Sequence, residues 1–558
     1  MKSRILFLIP CFVLVTCSVD QDCQKADIIL FNTKVYTVDD SNSIAEAIAI
    51  KGKEIVYVGD NKGVKNYKCS KSRIIDLKNG YIFPGFTDSH AHLKGIGYRE
   101  NTLNLQGINS LKETMSMVEE FTKSKKPGEW IVGRGWIEKV WPEKRFPNKY
   151  DLDRFSKNNP LLLERADGHA VLVNSYALKL AGIDSNSIDP HGGAILRDKH
   201  GEVTGILIDR ATNLVEKLVP KKTPEEDKFA LEQGIKRSIK LGWTQIQNAG
   251  GSIQDLELLK KIKSEGNLLL RIYFSVSDGI PAEELLNKGP YLDKDNMLIA
   301  RGIKLYADGA LGSRGAYLKD NYSDSKTKGL LIFKKEETIP KLKDALKKGI
   351  QIQTHAIGDL ANHITLNWYE EAFDSVPLEE RSILNPRWRI EHSQNIQPED
   401  QTRFNKLGII ASMQPSHAIG DLHFAVDRLG LKRIKNAYIW KSLLDQGVLV
   451  IGGSDAPVEI GDPLIEFYAA VTRKDVDGFY TEDWNLEQVI TREEALKMFT
   501  IWPSYGAFQE KVRGSLEVGK LADLSVFSKD IMEISEEDIL EARNIMTLVD
   551  GKIVYENL

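Results

Sequence analysis

Two textures of apolar and polar residues alternate along this chain. Near both ends, β-forming residues are interrupted by Gly, Asn and Lys. The runs ADIILFNTKVYTV, AEAIAIKGKEIVYVG and SRIIDLKNGYIFPG, over residues 26–83, read as short strands joined by turns. GSLEVGKLADLSVFS and IMTLVDGKIVYEN repeat the texture within residues 508–558, with Asp550-Gly551 as a hairpin turn. The two β-rich ends are therefore expected to form one small β domain, with the middle inserted between its halves.

Residues 84–507 instead alternate short apolar runs with helical patterns, the signature of a parallel sheet. Eight runs read as strands: Ile82–Thr87, Thr244–Gln247, Leu269–Val276, Gly302–Tyr306, Ile350–Thr354, Arg387–Ile390, Gly408–Met413 and Val448–Gly452. Helical fillers such as DLELLKKIKSEG and ETIPKLKDALKKG separate them and end at Gly. The pattern predicts a (β/α)8 barrel. About 150 residues part the first strand from the second. A plain connection needs far fewer, so residues 99–220 are read as an insertion, placed by its position as a lid or pocket wall at the barrel mouth.

The first residues have another pattern. Lys2 and Arg4 precede an apolar run from Ile5 to Val15, too short to span a bilayer. It ends at Leu14-Val15-Thr16-Cys17, which resembles a bacterial lipoprotein signal over residues 1–17, with Cys17 lipidated. An ordinary cleaved signal, or an uncleaved anchor, is the alternative. The expectation is a bacterial cell-envelope protein, periplasmic or anchored in the outer membrane, touching the membrane only through that lipid. Three of four cysteines lie here, leaving Cys69 alone in the body, so no disulfide scaffold is expected. Lys+Arg 75 against Asp+Glu 79 leaves a net charge of −4, which lacks the basic footprint of a nucleic-acid binder. A homo-oligomer is compatible with the chain, but no interface signal marks one.

Candidate chemistry gathers where strands end. Asp88-Ser89-His90-Ala91-His92 places two imidazoles on one face of a strand, able to meet one metal ion. His355 ends the fifth strand, His392 the sixth and Asp455 the eighth, and Lys304 lies in the fourth. Singly, each has a plain reading: a satisfied core histidine, a helix N-cap, a snorkelling lysine. Jointly, they converge on the face where barrel enzymes do their chemistry, and point to a metal site. His169 and Asn174 on the insertion, with Asp308 and Arg314 after the fourth strand, are candidate substrate contacts. Arg314 would favour an acidic or carbonyl group. Asn174 reads equally as a helix cap. Trp136 offers an apolar wall, and His417 and His423 follow the seventh strand.

HxH after strand one, Lys on four, His on five and six and Asp on eight resembles the metal-dependent amidohydrolase superfamily. The phrases TDSHAHL, KLYADGALGSRGA, THAIGD, IEHSQ and GGSDAPV resemble its N-substituted formamide deformylase-like branch, amidohydrolase family 3. The resemblance implies a TIM-like metal-dependent hydrolase barrel with a small β-sandwich built from both chain ends. It implies one or two divalent ions, zinc foremost. His90 and His92 would hold the more buried ion, and His355 and His392 the second. Asp455 would be a further ligand and proton shuttle. Lys304 matches a lysine that many members carboxylate at N6 to bridge two metals; unmodified, its ammonium would repel them. The implied reaction is attack of metal-activated water on a small amide-like C–N bond, such as an N-formyl amine or cyclic amide. Deamination of an amino-heterocycle is the alternative. A non-catalytic binding or regulatory protein on the same fold would be marked by lost ligands, and none is lost here.

Overall fold

The computed structural model describes residues 25–558 apart from 79, 139–140, 166–169 and 191–192. The leader with Cys17, and His169, lie outside the described residues. No helix among those described is long and apolar enough to cross a membrane.

Eight parallel strands pair in chain order: Phe86–Ala91, Trp243–Ala249, Arg271–Ser277, Leu298–Tyr306, Gln351–Ala356, Arg389–His392, Ile410–Met413 and Val450–Gly452. Numbered one to eight, they form a nearly closed barrel with helices outside. Strand two and strand six are buried along their whole length, as expected for strands covered on both faces. Polar contacts close the seam between strands eight and one. The Ser454 and Asp455 amides donate to Asp88 Oδ1 (2.9 Å) and to the His90 carbonyl (2.6 Å). Gly453 permits this approach, because a Cβ there would lie 2.5 Å from the His90 nitrogen.

One boundary differs from the sequence reading. Tyr81–Pro84 does not open the barrel; it pairs antiparallel with Leu524–Phe527 in the terminal sheet. The barrel strand begins at Phe86. Pro84 cannot donate to a ladder, and the Gly85 amide turns aside to the Asp523 carbonyl at 2.8 Å. A single apolar run is thereby divided between two sheets.

The terminal sheet has eight strands. Ile28–Tyr36 lies between Ile44–Lys51, itself edged by Glu54–Gly59, on one side and Arg73–Asp76 with Tyr81–Pro84 on the other. Leu524–Phe527, Asn544–Val549 and Lys552–Glu556 continue it. Hydrogen bonding runs unbroken through the path, and Leu30, Ile48, Ile55, Leu524, Met546 and Leu548 share one core. The sandwich is therefore one sheet folded over its own side chains. Asp550 (φ 53°) and Gly551 (φ 73°) make the tight turn between the last two strands.

Between strands one and two, Leu103–Asn104, Ile131–Trp136, Leu161–Arg165, Ala170–Val173, Val203–Asp209 and Gly193–Arg197 form a separate six-stranded sheet. It has two cores of its own, around Trp136 and Trp141 and around Val171 and Leu207.

Candidate metal centre

Strand geometry brings the candidate ligands together. His90 is fully buried, and its Nδ1 faces the Glu391 carboxylate. That contact fixes the ring and leaves Nε2 3.6 Å from Asp455 Oδ1 and 3.2 Å from Lys304 Nζ. His92, just past the strand, puts its Nε2 3.0 Å from the same Asp455 oxygen. His392 donates from Nδ1 to Gln414 Oε1 at 2.8 Å, which turns Nε2 inward. Ring centroids lie 4.8 Å apart for His90 and His392 and 4.4 Å for His355 and His392. Ligand atoms of His90, His392 and Asp455 all fall within 4.8 Å of one another.

The electrostatics suit a cation. Burial, with positive neighbours, lowers the pKa of His90, His355 and His392, His355 to about 3, so their imidazoles are neutral and have lone pairs free for a metal. His355 Nε2 is buried with no hydrogen-bond partner, an arrangement costly unless something else engages it, and Asp455 Oδ1 is approached only by the His92 and His90 imidazoles. Nitrogen and carboxylate donors in this mixture fit zinc and its neighbours. Burial also drives Lys304 down to about 8, against the pull of Glu391 and Asp455.

Two of these residues occupy rare backbone conformations. His392 has φ 70° and Asp455 φ 59°, in the left-handed region that disfavours side chains. Such strain persists where the surroundings impose it, commonly at functional sites. At His392 it breaks the strand alternation, so Glu391 and His392 both reach the centre.

Other candidates are placed elsewhere. Trp136 is 1% exposed and packs with Trp141 and Phe146 in the insertion's core, its indole donating to the Leu163 carbonyl; it is no pocket wall. Asn174 is fully buried, caps the helix Ser175–Ala181 and accepts from the Leu161 amide, while its amide donates to the Ser156 and Asn159 carbonyls. Its hydrogen-bonding groups are engaged, so it cannot serve a substrate. Asp308 does border the centre, its Oδ1 3.6 Å from His355 Nε2, but it accepts from the Ile357 (3.0 Å), Gly358 (2.7 Å) and Tyr317 (2.7 Å) amides and pins the strand-four loop to strand five. Arg314 forms a forked pair with Asp324 at 3.0 and 2.8 Å, so its guanidinium is already matched. His423 is exposed and pairs with Asp475, away from the centre.

His417 does approach the centre, with Nε2 3.5 Å from Asp455 Oδ2 and its ring stacked on His392. Glu391, Gln414, Asp88 and Tyr306 escaped the sequence reading. Tyr306 had a usable signal, since it stands two residues after Lys304 and so shares its strand face.

A parallel barrel with neutral histidines and a carboxylate at its strand ends defines a metal-dependent hydrolase. Residues 73–555 match the amidohydrolase family, and the chain belongs to it. It is 32% identical to the protein YtcJ of Bacillus subtilis (strain 168), across 94% of this chain and 98% of that one. It is 27% identical to the N-substituted formamide deformylase of Arthrobacter pascens, across 96% and 99%. Among solved structures, an uncharacterized metal-dependent hydrolase from Pyrococcus furiosus superposes with TM-score 0.72 at 27% identity, covering 91% of this chain and 100% of that one. The protein is thus an amidohydrolase, an enzyme acting on carbon–nitrogen bonds other than peptide bonds.

Proposed function

We propose that the protein hydrolyses the C–N bond of a small amide-like molecule, such as an N-formyl amine or a cyclic amide. His90, His92, His355, His392 and Asp455 would hold one or two divalent ions, zinc foremost. The observation that carries this reading is the convergence of His90, His392 and Asp455 ligand atoms within 4.8 Å of one another, beside a buried His355 Nε2 left without a hydrogen bond. When bound, such an ion acidifies water and polarises a carbonyl oxygen. Asp455 accepts the proton that the attacking water releases and returns it to the leaving nitrogen. Its second oxygen faces His417 Nε2 at 3.5 Å. Glu391 holds the His90 tautomer, and Gln414 that of His392.

Lys304 decides the ion count. As an ammonium 3.2 Å from His90 Nε2, it would oppose a nearby cation and fits a single ion. As an N6-carboxylate, it would become an anionic ligand able to bridge two. Likeness to a formamide deformylase supports amide hydrolysis; deamination of an amino-heterocycle would use the same residues. The leader sequence supports export and attachment to the envelope through Cys17.

The test is a screen of N-formyl amines, cyclic amides and amino-heterocycles with protein of measured metal content. Formate or carboxylate release supports the reading. Ammonia release from heterocycles alone moves the protein to the deaminases. Silence from metal-loaded protein across the screen overturns hydrolysis of these classes.

A further inference from the structure

Charge is spread unevenly over this protein. Residues 51–73, in the terminal sheet, hold seven Lys and Arg against two Asp and Glu. That is a net +5 in a chain of net −4, so the remainder carries −9. Lys51 pairs with Asp27 and Arg73 with Glu556. The other five cations, Lys53, Lys62, Lys65, Lys68 and Lys71, are exposed and form no ion pair among the described residues. The acids beside them are engaged by other donors. Asp60 accepts from the Gly63 amide (2.6 Å) and the Tyr57 hydroxyl (3.1 Å), and Glu46 from the Asn61 amide (3.0 Å).

The lysines stand over the start of the fold. The short helix Gly63–Tyr67 buries Val64 against Ala26, Ile29, Ala47 and Ala49, while Lys62, Lys65 and Lys68 stay in solvent. Ser72 Oγ donates to the Ala26 carbonyl at 2.6 Å, and the Arg73 amide to the Asp27 carbonyl at 2.8 Å. The chain therefore enters its first strand directly under the cationic segment. Cys17 precedes Ala26 by nine residues, a span of at most about 30 Å even when fully extended. A lipid on Cys17 would hold this face, rather than the far side of the barrel, next to the bilayer.

We infer that residues 53–71 form a docking surface for an anionic phospholipid bilayer, on which Lys53, Lys62, Lys65, Lys68 and Lys71 meet the headgroup phosphates. Attraction of this kind adds up over the lysines and fades within a Debye length of roughly 10 Å. The −9 on the rest of the chain is repelled by the same surface, so the patch also sets which face lies on the membrane. The choice of a bilayer as partner rests on the leader reading above, whereas the charge of the face does not depend on it.

The test uses residues 18–558, made without the leader so that neither a lipid nor the apolar run contributes, with folding checked by the melting transition. Binding is measured by co-sedimentation with vesicles of phosphatidylcholine alone and of equal parts phosphatidylcholine and phosphatidylglycerol. The protein should sediment with the anionic vesicles only and be released at about 0.5 M NaCl. Lys62→Glu, Lys65→Glu, Lys68→Glu and Lys71→Glu together should weaken binding by about tenfold or more, and the same four changed to Arg should keep it. Reversing four exposed lysines of the insertion instead, Lys157, Lys179, Lys199 and Lys217, should leave binding as in the wild type. No binding to anionic vesicles, equal binding to both kinds, or equal loss in the two reversed variants overturns the inference. Fractionation of the full-length protein tests Cys17 separately, so a failure of lipid attachment there leaves the vesicle result standing.

Discussion

Asp523 joins the barrel to the terminal sheet, and Asp523→Asn removes its charge while keeping its size. The carboxylate is 3% exposed. It accepts from Arg271 Nε (2.7 Å) and Nη2 (3.0 Å), Arg513 Nε (3.0 Å) and the Asp550 amide (2.9 Å). Arg271 belongs to strand three, and Arg513 reaches Thr87 and Gln245 on strands one and two. Both guanidinium groups are buried. The variant keeps one acceptor oxygen and turns an NH2 group on donors, leaving the buried Arg513 without an anion and Arg271 with only Asp550, 2.9 Å from its Nη2. Breaking a buried ion pair in this way costs about 3–5 kcal/mol.

A second estimate comes from protonation. Burial opposes the charge, yet Arg271 and Arg513 hold the carboxyl down to about 2 from 3.8. At ~1.36 kcal/mol per unit this is on the order of 2 kcal/mol. The depressed value makes the contribution complete above pH ~4 and lost as pH falls towards ~2, with about half gone at pH 3. An unfolding entropy of ~2.1 cal/mol/K per residue gives ~1.2 kcal/mol/K for a chain of this length melting as one unit. Asp523→Asn should then lower Tm by roughly 3–4 °C at pH 7 in scanning calorimetry. The gap to wild type should narrow between pH 5 and pH 3. A variant melting within about 1 °C of wild type at pH 7, with an unchanged pH slope, would refute the reasoning.

Other predictions concern the site and the insertion. Asp455→Asn should keep most of its metal but lose roughly 10²- to 10⁴-fold in turnover; near wild-type kcat on a true substrate would remove its proton-transfer role. His90→Ala should lose metal by elemental analysis, and full occupancy would show that it is no ligand. Chelation should lower Tm, by an amount that grows with the logarithm of the metal affinity, and readdition should restore it; a Tm indifferent to both would count against a metal held by the folded state. Asn174→Ala strands two amides and two carbonyls. It should destabilise the insertion by about 2–3 kcal/mol, seen as faster hydrogen exchange in residues 156–178, while an unchanged exchange pattern would return Asn174 to the substrate candidates. Cys17→Ser should shift the protein from the membrane to the soluble fraction, and unchanged fractionation would exclude lipid attachment there.

The sequence by itself determined the succession of elements and most of the centre. Each barrel strand is a short apolar run, and a parallel barrel always presents its C-terminal strand ends to one face. His90, His92, Lys304, His355, His392 and Asp455 could therefore be assembled from chain order alone. Repetition of a β texture at both ends likewise marked the terminal sheet. Local pattern reached its limit where a residue's role depends on which distant group it meets. Tyr81–Pro84 and Phe86–Ala91 read as one strand because nothing local shows that two sheets divide them. Asn174 and Trp136 are residue types that suit a pocket, and only their neighbours show that one caps a helix and the other fills a core. Glu391 was hidden because the positive φ at His392 breaks the alternation on which strand reading depends. Tertiary structure also matched the charge of Arg314 with Asp324 and set the ring of Tyr306 beside His355. Side-chain type and spacing are local properties, whereas the pairing of charges and hydrogen bonds is decided by groups far apart in the chain.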